Sequence, residues 1–285
     1  MTAITLDGEL LASEIKDDLR RRIAELAERG ITPGLGTLLV GEDGPSTNYV
    51  AMKHRDCAEL GIHSRYEHLP STTTQAQILA KIDELNADPV IDAYIVQYPF
   101  PRGLDYEAAI ERVEPAKDAD GLHPVNLGKL VMGVDAPLAC TPHGIQALLE
   151  RYEVPIAGQH VVIVGRGLTI GRPLANLLSL KLHNANAAVT VVHTGVADIA
   201  GYTRQADILV AAAGSPHMIT ADMVKPGAAV VAAGVSFEGR TIVSDVADDV
   251  AEVAGWMSPR IGGVGPMTRA MLLANTVAAA ERAAG

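Results

Sequence analysis

The first part of the chain alternates between short strand-like segments, most of them apolar, and longer stretches with apolar positions at helical spacing. The helical stretches cover residues 10–29, 46–60 and 73–86, and the short strand-like runs cover residues 35–40, 64–69 and 93–96. Apolar positions three and four residues apart predict helices, whereas short runs bounded by glycine, proline or polar residues predict strands. The regular alternation therefore predicts repeated β–α units, which pair as a parallel sheet covered by helices.

Proline and glycine are dense between residues 101 and 142, where the alternation stops. Such a density predicts loops and a junction between two domains. Beyond it, a short helix at residues 142–152 leads into further strands, predicted at residues 160–164, 188–193, 207–212, 228–233 and 242–246. Their close spacing predicts one doubly wound sheet. The last helical stretch, residues 267–284, has an apolar side and is expected to pack on the first domain.

The length of 285 residues corresponds to about two domains of ordinary size. We therefore predict an α/β protein of two lobes, an N-terminal α/β domain and a Rossmann-like doubly wound domain, with an active-site cleft between them. The first is expected to comprise residues 1–141 together with 267–285, and the second residues 142–266. The N-terminal domain is then discontinuous in sequence, with the other domain inserted.

Charge and composition exclude several classes of partner. Acidic residues outnumber basic ones by 34 to 23, which gives a formal net charge of −11, and aromatic residues make up only 4 % of the chain. Binding of nucleic acid needs clustered cations and, for single strands, aromatic platforms, so no nucleic-acid partner is expected. The longest apolar run is far shorter than the ~20 residues that span a bilayer. Asp7 and Glu9 stand where a signal peptide carries cations, so we expect no membrane association and a cytoplasmic protein.

No metal site is predicted. Cys57 and Cys140 lie far apart without a Cys-x-x-Cys spacing, which argues against zinc and against a disulfide framework. A calcium loop that begins at Asp118 would need Glu at its twelfth position, where Lys129 stands.

The sharpest local motif is a glycine turn, with Gly165, Gly167 and Gly171 between a predicted strand and a helical run. Glycines there permit a tight turn and let backbone N–H groups approach a pyrophosphate at the helix N-terminus, where the dipole favours anions. The spacing Gly-x-Gly-x-x-x-Gly is not the usual Gly-x-Gly-x-x-Gly, and a glycine turn alone is often only a turn. Because strand, glycines and helix fall in order, we predict nucleotide binding at this turn, Ile170 included.

The residues beside this turn favour NADP over NAD. An NAD site usually places Asp or Glu at the end of the second strand, whereas an NADP site offers a cation to the 2′-phosphate. The second strand ends here in His193-Thr194 without a carboxylate, while Arg166 supplies a positive charge and Thr194 a hydroxyl. The alternative interpretation of Arg166 is a solvated loop arginine. Val235 is also assigned to the cofactor site.

A second set of candidates lies in the first domain. Tyr49 and Lys53 are four residues apart on a predicted helix and therefore share a face. Gln97 ends a predicted strand at the carboxyl edge of the sheet, where open α/β sheets bind ligands. A lysine among neutral groups can act as acid or base near neutral pH, although a lone helical lysine is more often solvated. The turn at residues 115–123 adds carboxylates, among them Asp120, and has the alternative interpretation of a polar surface turn.

Together these motifs make the sequence resemble the bifunctional methylenetetrahydrofolate dehydrogenase/methenyltetrahydrofolate cyclohydrolase family over nearly its whole length. The segments that carry the resemblance are Val40-Gly41-Glu42-Asp43 followed by Ser46, Tyr49, Val50 and Lys53; Tyr94-Ile95-Val96-Gln97 with Pro99 and Pro101; residues 115–126; Cys140-Thr141-Pro142-His143-Gly144; residues 165–171 with Pro173; and residues 262–268. Several long motifs in the same order are far more specific than any one of them.

The resemblance implies roles for individual residues. Lys53 would be the catalytic lysine, and Gln97 would tune it. Tyr49 would stack on the folate ring, and Asp120 would bind the amino-pyrimidine edge of the pterin and complete the catalytic set. Residues of a later turn would line the folate side of the cleft: Gly262, Gly263 and Pro266.

The resemblance also implies the reaction. Hydride would pass from 5,10-methylenetetrahydrofolate to NADP, and water would then open the methenyl product to 10-formyltetrahydrofolate, a one-carbon donor for purine biosynthesis. The N-terminal domain would be the catalytic, folate-binding one, the inserted domain would bind NADP, and the protein would be a homodimer. Two alternatives stay open: a dehydrogenase of the same lineage with little cyclohydrolase activity, and a non-catalytic NADP-binding module. The sequence departs from the family at Gly167, where many members have Ser, and at Ile261, where Pro is usual.

Overall fold

The computed structural model describes residues 3–41, 44–239 and 241–285 of the chain. Its helices and strands are, in chain order, β1 Ile4–Thr5, α1 Gly8–Glu28, β2 Gly34–Val40, α2 Gly44–Leu60, β3 His63–Leu69, α3 Gln75–Ala87, β4 Ala93–Val96, α4 Tyr106–Arg112, α5 Pro124–Met132, α6 Cys140–Arg151, β5 His160–Val164, α7 Gly171–Ser179, β6 Ala188–Val192, α8 Ile199–Thr203, β7 Ile208–Ala211, β8 Ala229–Ala232, β9 Val235–Glu238, β10 Thr241–Ser244, β11 Trp256–Met257 and α9 Val264–Ala284. Among these described helices, none combines the length and the apolar character needed to cross a membrane. The Glu42-Asp43 pair of the first motif and the side chain of Ser46 lie outside the described part.

By its internal contacts the described chain forms two compact units. The small-sheet unit comprises Glu14–Leu138 with Arg269–Gly285, and the large-sheet unit comprises the described residues up to Ser13 with Ala139–Thr268. Two of the boundaries predicted from the sequence fall within a few residues of these. The prediction placed the N-terminal residues in the first domain, whereas β1 pairs with β11 and so contributes to the large sheet.

The small sheet has three parallel strands in the order β3-β2-β4. The central strand β2 is buried at every position, which explains why its sequence carries no charge. Close packing requires Gly36 in β2, because a Cβ there would lie 2.8 Å from the Cβ of Tyr94 on β4. Parallel pairing of β2 with β4 brings their carboxyl ends, near Val40 and Val96, to the same edge of the sheet.

The later part of helix α9 packs within the small-sheet unit. Asn275 donates from Nδ2 to the carbonyl oxygens of Ala119, at 2.9 Å, and Leu138, at 3.0 Å. Glu281 forms an ion pair with Arg22 of α1 at 2.6 Å. The C-terminal helix therefore completes a unit whose sheet comes from much earlier residues.

The large sheet has six parallel strands in the order β1-β11-β8-β7-β5-β6. Val164, at the end of β5, lies opposite Val192 of β6 on one side and Ala211 of β7 on the other. The chain thus leaves β5 for β6 on one side and then crosses to β7 on the other. Open α/β sheets bind ligands at the carboxyl edge where the strand order reverses in this way.

Two predictions from the sequence need correction. The strand predicted at residues 242–246 is not part of the doubly wound sheet, because β10 pairs antiparallel with β9 in a separate hairpin. The segment at residues 101–142, predicted as loops, contains helices α4 and α5. Pro124 occupies the first turn of α5, where its missing N–H costs nothing, and Gly133 ends that helix with a left-handed φ of 66°. These residues therefore mark the ends of a helix and not an irregular loop.

Candidate active site

The small-sheet unit brings together three of the predicted site residues, Tyr49, Lys53 and Gln97. Helix α2 carries Tyr49 and Lys53 one turn apart, and the Lys53 Nζ lies 5.2 Å from the centroid of the Tyr49 ring. The same Nζ donates to Gln97 Oε1 at 3.0 Å. Gln97 follows directly after β4 and therefore lies at the carboxyl edge of the small sheet, where it contacts Lys53 of α2.

Burial gives the contact between Lys53 and Gln97 its importance. Lys53 is only 7 % exposed, and a buried ammonium group needs polar partners to replace lost water. The Gln97 amide is oriented by a second hydrogen bond, in which its Nε2 donates to the carbonyl oxygen of Tyr98 at 2.7 Å. The amide oxygen therefore faces Lys53, and Nζ has a fixed position beside the Tyr49 ring.

The positive charge of Lys53 acts on the next residue of the helix. The pKa of His54 is lowered, first by burial and then by the charge of Lys53. Burial also raises the pKa of the Cys57 thiol on the same helix to about 12. Both neighbours are therefore neutral at pH 7, and Lys53 is the cation that this part of α2 contributes beside Gln97.

The segment after β4 contains two aromatic residues that pack against Tyr106. The Tyr106 ring stands edge-on to the rings of Tyr98 and Phe100, with 5.2 Å between centroids in each case. Burial raises the pKa of the Tyr106 hydroxyl, and the negative charge of Asp120 raises it further. Asp120, the predicted partner of the pterin, therefore interacts electrostatically with Tyr106, which packs against the residues that follow Gln97.

A buried aspartate that the sequence did not single out as a site residue, Asp118, fixes the loop that carries Asp120. Asp118 is 4 % exposed, and its carboxylate accepts hydrogen bonds from the backbone N–H of Gly121 at 3.0 Å and of His123 at 2.8 Å. It accepts a third from Asn126 Nδ2 at 2.9 Å. Asp120 itself is partly exposed, so the polar turn is a folded, internally bonded loop. The sequence holds no residue-type signal for this role, because two of the three partners are backbone N–H groups.

The same loop is held against β4. The Ala119 N–H donates to the carbonyl oxygen of Tyr94 at 3.1 Å, and Asn275 of α9 binds the Ala119 carbonyl. Asp120 therefore extends from a segment anchored beside the strand that ends in Gln97.

The predicted cofactor turn lies in the large-sheet unit, and close backbone approach explains two of its glycines. Gly165 has a φ of 128°, and a Cβ on it would lie 2.2 Å from the carbonyl oxygen of Ala212. A Cβ on Gly171 would lie 2.1 Å from the carbonyl oxygen of Gly165. Gly167 differs, because it is exposed and a Cβ there would meet nothing within 4 Å.

This turn fits an anionic cofactor. Helix α7 begins at Gly171, and its N-cap residue Ile170 has no side-chain acceptor to offer the first N–H groups. A helix N-terminus of this kind suits a phosphate group. Arg166 and Thr194 are both exposed, each two residues beyond paired positions at the ends of β5 and β6. The two side chains therefore start from neighbouring strand ends at one edge of the sheet.

The remaining predicted residues also lie in the large-sheet unit. Val235 is exposed at the start of β9, directly after Gly234. The Gly262 carbonyl oxygen accepts the N–H groups of Gly8, at 2.8 Å, and Glu9, at 3.0 Å, which start α1. A Cβ on Gly263 would lie 2.4 Å from the carbonyl oxygen of Pro259, so close packing requires glycine at this position. Pro266 is partly exposed near the start of α9.

Comparison with known families gives the class of protein that this fold and these residues define. Residues 6–120 match the catalytic domain of tetrahydrofolate dehydrogenase/cyclohydrolase, and residues 139–284 match the NAD(P)-binding domain of the same family. The class is a two-domain α/β protein with a catalytic domain and an NAD(P)-binding domain. The chain belongs to the tetrahydrofolate dehydrogenase/cyclohydrolase family.

Individual relatives are similar over the whole chain. The bifunctional protein FolD of Syntrophotalea carbinolica is 52 % identical over 284 residues, which cover 100 % of this chain and 98 % of the relative. The bifunctional FolD methylenetetrahydrofolate dehydrogenase/cyclohydrolase of Campylobacter jejuni has a crystal structure with a TM-score of 0.94, at 39 % identity and 99 % coverage of both chains. The Trypanosoma brucei enzyme, crystallised with NADP and an inhibitor, also has a TM-score of 0.94, at 36 % identity and coverage of 100 % and 99 %.

Proposed function

We propose that the protein is a bifunctional one-carbon folate enzyme. It oxidises 5,10-methylenetetrahydrofolate with NADP and hydrolyses the resulting 5,10-methenyltetrahydrofolate to 10-formyltetrahydrofolate. The observation that carries this proposal is the buried Lys53, held by Gln97 beside the Tyr49 ring. Family membership and full-length similarity to bifunctional relatives support both activities.

In the proposed substrate complex, the small-sheet unit binds the folate. The Tyr49 ring is a flat surface that can cover the pterin, and the Asp120 carboxylate can accept two hydrogen bonds from its amino-pyrimidine edge. Gly262, Gly263 and Pro266 stay predictions of the family resemblance as further folate contacts. These contacts place the one-carbon bridge near the Lys53 Nζ, which Gln97 keeps in position.

The oxidation step depends mainly on orientation. NADP, when bound, supplies the hydride acceptor. The glycine turn at Gly165, Gly167 and Gly171, with Ile170 at the helix start, is proposed to hold the pyrophosphate. Arg166 and Thr194 are proposed to bind the 2′-phosphate, which distinguishes NADP from NAD, and Val235 to contact the cofactor beyond β8.

The hydrolysis step needs proton transfer. Water adds to the methenyl carbon with loss of one proton, and the bond from that carbon to N5 then breaks as the hydroxyl proton passes to N5. Lys53 is the group proposed to relay these protons: once its ammonium group has given up a proton, the Nζ amine can accept the proton lost by water and return one to N5. Its Nζ suits this role because it is fixed and screened from bulk water. Both steps use one bound folate, so the methenyl cation need not leave.

Assembly and location are further parts of the proposal. We propose a homodimer formed through the NADP-binding domains and a cytoplasmic location. The family resemblance supports the dimer, and the free cysteines Cys57 and Cys140 fit a reducing compartment such as the cytoplasm.

The role of Lys53 is tested with Lys53→Met. We expect hydrolysis of 5,10-methenyltetrahydrofolate, followed by its absorbance without NADP, to fall by about 100-fold or more, the usual contribution of a general acid–base. Reduction of NADP should persist, because hydride transfer needs positioning and no proton from Lys53. The matched control is Lys81→Met, which removes a lysine from α3 that is paired with Glu84. Hydrolysis that is as fast in Lys53→Met as in Lys81→Met would remove Lys53 from the mechanism.

A further inference from the structure

A second buried aspartate, Asp245, lies in the large-sheet unit directly after β10. Its side chain is fully buried, with 0 % exposure. One carboxylate oxygen accepts the backbone N–H groups of Ala213, at 2.7 Å, and Gly214, at 2.9 Å, and the other accepts that of Ser215 at 2.8 Å. Three successive N–H groups thus converge on one carboxylate, and they compensate for its burial.

The surrounding backbone leaves room for this carboxylate and little else. A Cβ on Gly234 would lie 1.9 Å from Asp245 Oδ2, so only glycine allows the carboxylate its present place. The Asp245 N–H donates to the Gly234 carbonyl oxygen at 3.2 Å. Ser236 Oγ adds a bond to the Gly214 carbonyl oxygen at 3.1 Å. Asp245 therefore links the loop after β7 to the loop after β8.

Residues 212–215, which we name the β7 loop, border the glycine turn. The Ala212 N–H donates to the Val164 carbonyl oxygen at 2.8 Å, and the missing Cβ of Gly165 would touch the Ala212 carbonyl. Strand β7 lies on the side of β5 opposite β6. A dinucleotide lies across the point where the strand order reverses. If Arg166 and Thr194 bind the 2′-phosphate of the adenosine half near the end of β6, the nicotinamide half extends over the β7 loop.

We propose that Asp245 is a positioning residue for the nicotinamide half of the cofactor site. It fixes the backbone of the β7 loop through three hydrogen bonds and so sets the surface on which the nicotinamide rests. It does not touch the reacting atoms. This inference rests on the proposed function, since it assumes that the large-sheet unit binds NADP.

The direct test is Asp245→Asn. The amide replaces one acceptor oxygen with an NH2 group that faces backbone donors, so the β7 loop must move. We expect KM for NADP in the dehydrogenase reaction and the calorimetric Kd for NADP to rise by about tenfold or more. Hydrolysis of 5,10-methenyltetrahydrofolate measured without NADP should stay within about twofold, because the residues proposed to carry it, Tyr49, Lys53 and Gln97, lie in the small-sheet unit.

The matched control is Asp207→Asn. Asp207 directly precedes β7, at the opposite end of the strand, and accepts the His160 N–H at 2.9 Å. It also accepts a bond from Lys225 at 2.5 Å. The control therefore removes a carboxylate that also accepts a backbone N–H group, at the other end of the same strand and away from the β7 loop. Its KM and Kd for NADP should equal those of the wild type.

A second variant, Gly234→Ala, displaces the carboxylate without removing it and should give the same selective loss of NADP binding. The proposal is overturned if Asp245→Asn binds NADP as tightly as the wild type. It is equally overturned if both variants lose hydrolysis together with NADP binding while Asp207→Asn keeps both, since Asp245 would then serve only to fold the unit. A wild type that binds NADP by calorimetry but oxidises no folate would refute the proposed function and leave the binding comparison intact.

Discussion

Each unit contains an aspartate that is buried and fully used as an acceptor, although it belongs to no predicted set of site residues. Asp118 binds two backbone N–H groups and one amide, and Asp245 binds three backbone N–H groups. In both cases the carboxylate organises a loop at the carboxyl edge of a parallel sheet, where ligands bind. The residues proposed to touch ligands therefore depend on others that do not.

Asp118→Asn tests this dependence in the small-sheet unit. The variant places an NH2 group among three N–H donors, and each unsatisfied buried donor costs about 1–3 kcal/mol. The loop that carries Asp120 should shift, so KM for 5,10-methylenetetrahydrofolate should rise roughly 5- to 150-fold, with Kd for NADP unchanged. Steady-state kinetics with the folate varied, together with calorimetry for NADP, measures both effects.

The control for that variant is Asp92→Asn. Asp92 accepts the Gly34 N–H at 2.8 Å, at the amino end of β2 and β4 and thus at the opposite edge of the same sheet. Its KM for the folate should match that of the wild type. Equal KM values for Asp118→Asn and Asp92→Asn would contradict the role given to Asp118.

The sequence alone could identify Tyr49, Lys53 and Gln97 as candidates, because helical spacing and a strand end are local patterns. It could not identify Asp118 or Asp245 as organising residues. Their partners are backbone N–H groups, which every residue except proline carries, so the partners leave no residue-type signal. For Asp245 the partners also lie about 30 positions earlier in the chain, on another strand end.

At the scale of elements, we propose that the carboxyl ends of β5 and β6 set which cofactor the large sheet prefers. Strand pairing places Arg166 and Thr194 at neighbouring ends, and the His193-Thr194-Gly195 segment offers no carboxylate to the ribose hydroxyls. On this proposal, the preference for NADP is a property of two adjacent strand ends and not of the glycine turn alone.

Arg166→Ala tests this preference. Loss of a charge-assisted hydrogen bond of about 1.5–3 kcal/mol to the 2′-phosphate should raise KM for NADP roughly 10- to 150-fold. KM for NAD, which lacks that phosphate, should stay within about twofold. The ratio of kcat/KM with NADP to kcat/KM with NAD should therefore fall. Arg204→Ala, at the C-terminal end of α8, is the control. Equal losses with NADP and NAD would show that Arg166 acts elsewhere in the site.

Strand and helix positions could largely be predicted, because buried runs such as β2, β5 and β7 are mostly apolar. The exceptions have physical reasons. Strands β1 and β11 are only two residues long and carry no periodic signal. Strand β10 has the composition of a sheet strand, but only two residues of sequence separate it from β9, and so short a separation favours antiparallel pairing of the two strands.

At the scale of the whole molecule, the acidic composition does not determine the ligands. The formal net charge of −11 opposes anions such as NADP and folate at long range. In the proposed function, binding therefore rests on local groups, namely backbone N–H donors at the glycine turn, Arg166 and the buried Lys53. Neither unit is one continuous segment of the chain, because each combines two segments that are far apart in the sequence.

The central claim is that one chain performs both reactions. The most direct measurement follows NADPH, 5,10-methenyltetrahydrofolate and 10-formyltetrahydrofolate together, after purified protein is mixed with 5,10-methylenetetrahydrofolate and either NADP or NAD. We predict NADPH and 10-formyltetrahydrofolate in equal amounts, faster turnover with NADP than with NAD, and accumulation of the methenyl compound only in Lys53→Met. Persistent methenyl product from the wild type would contradict the claim and indicate a dehydrogenase alone, and the absence of NADPH would indicate a binding module.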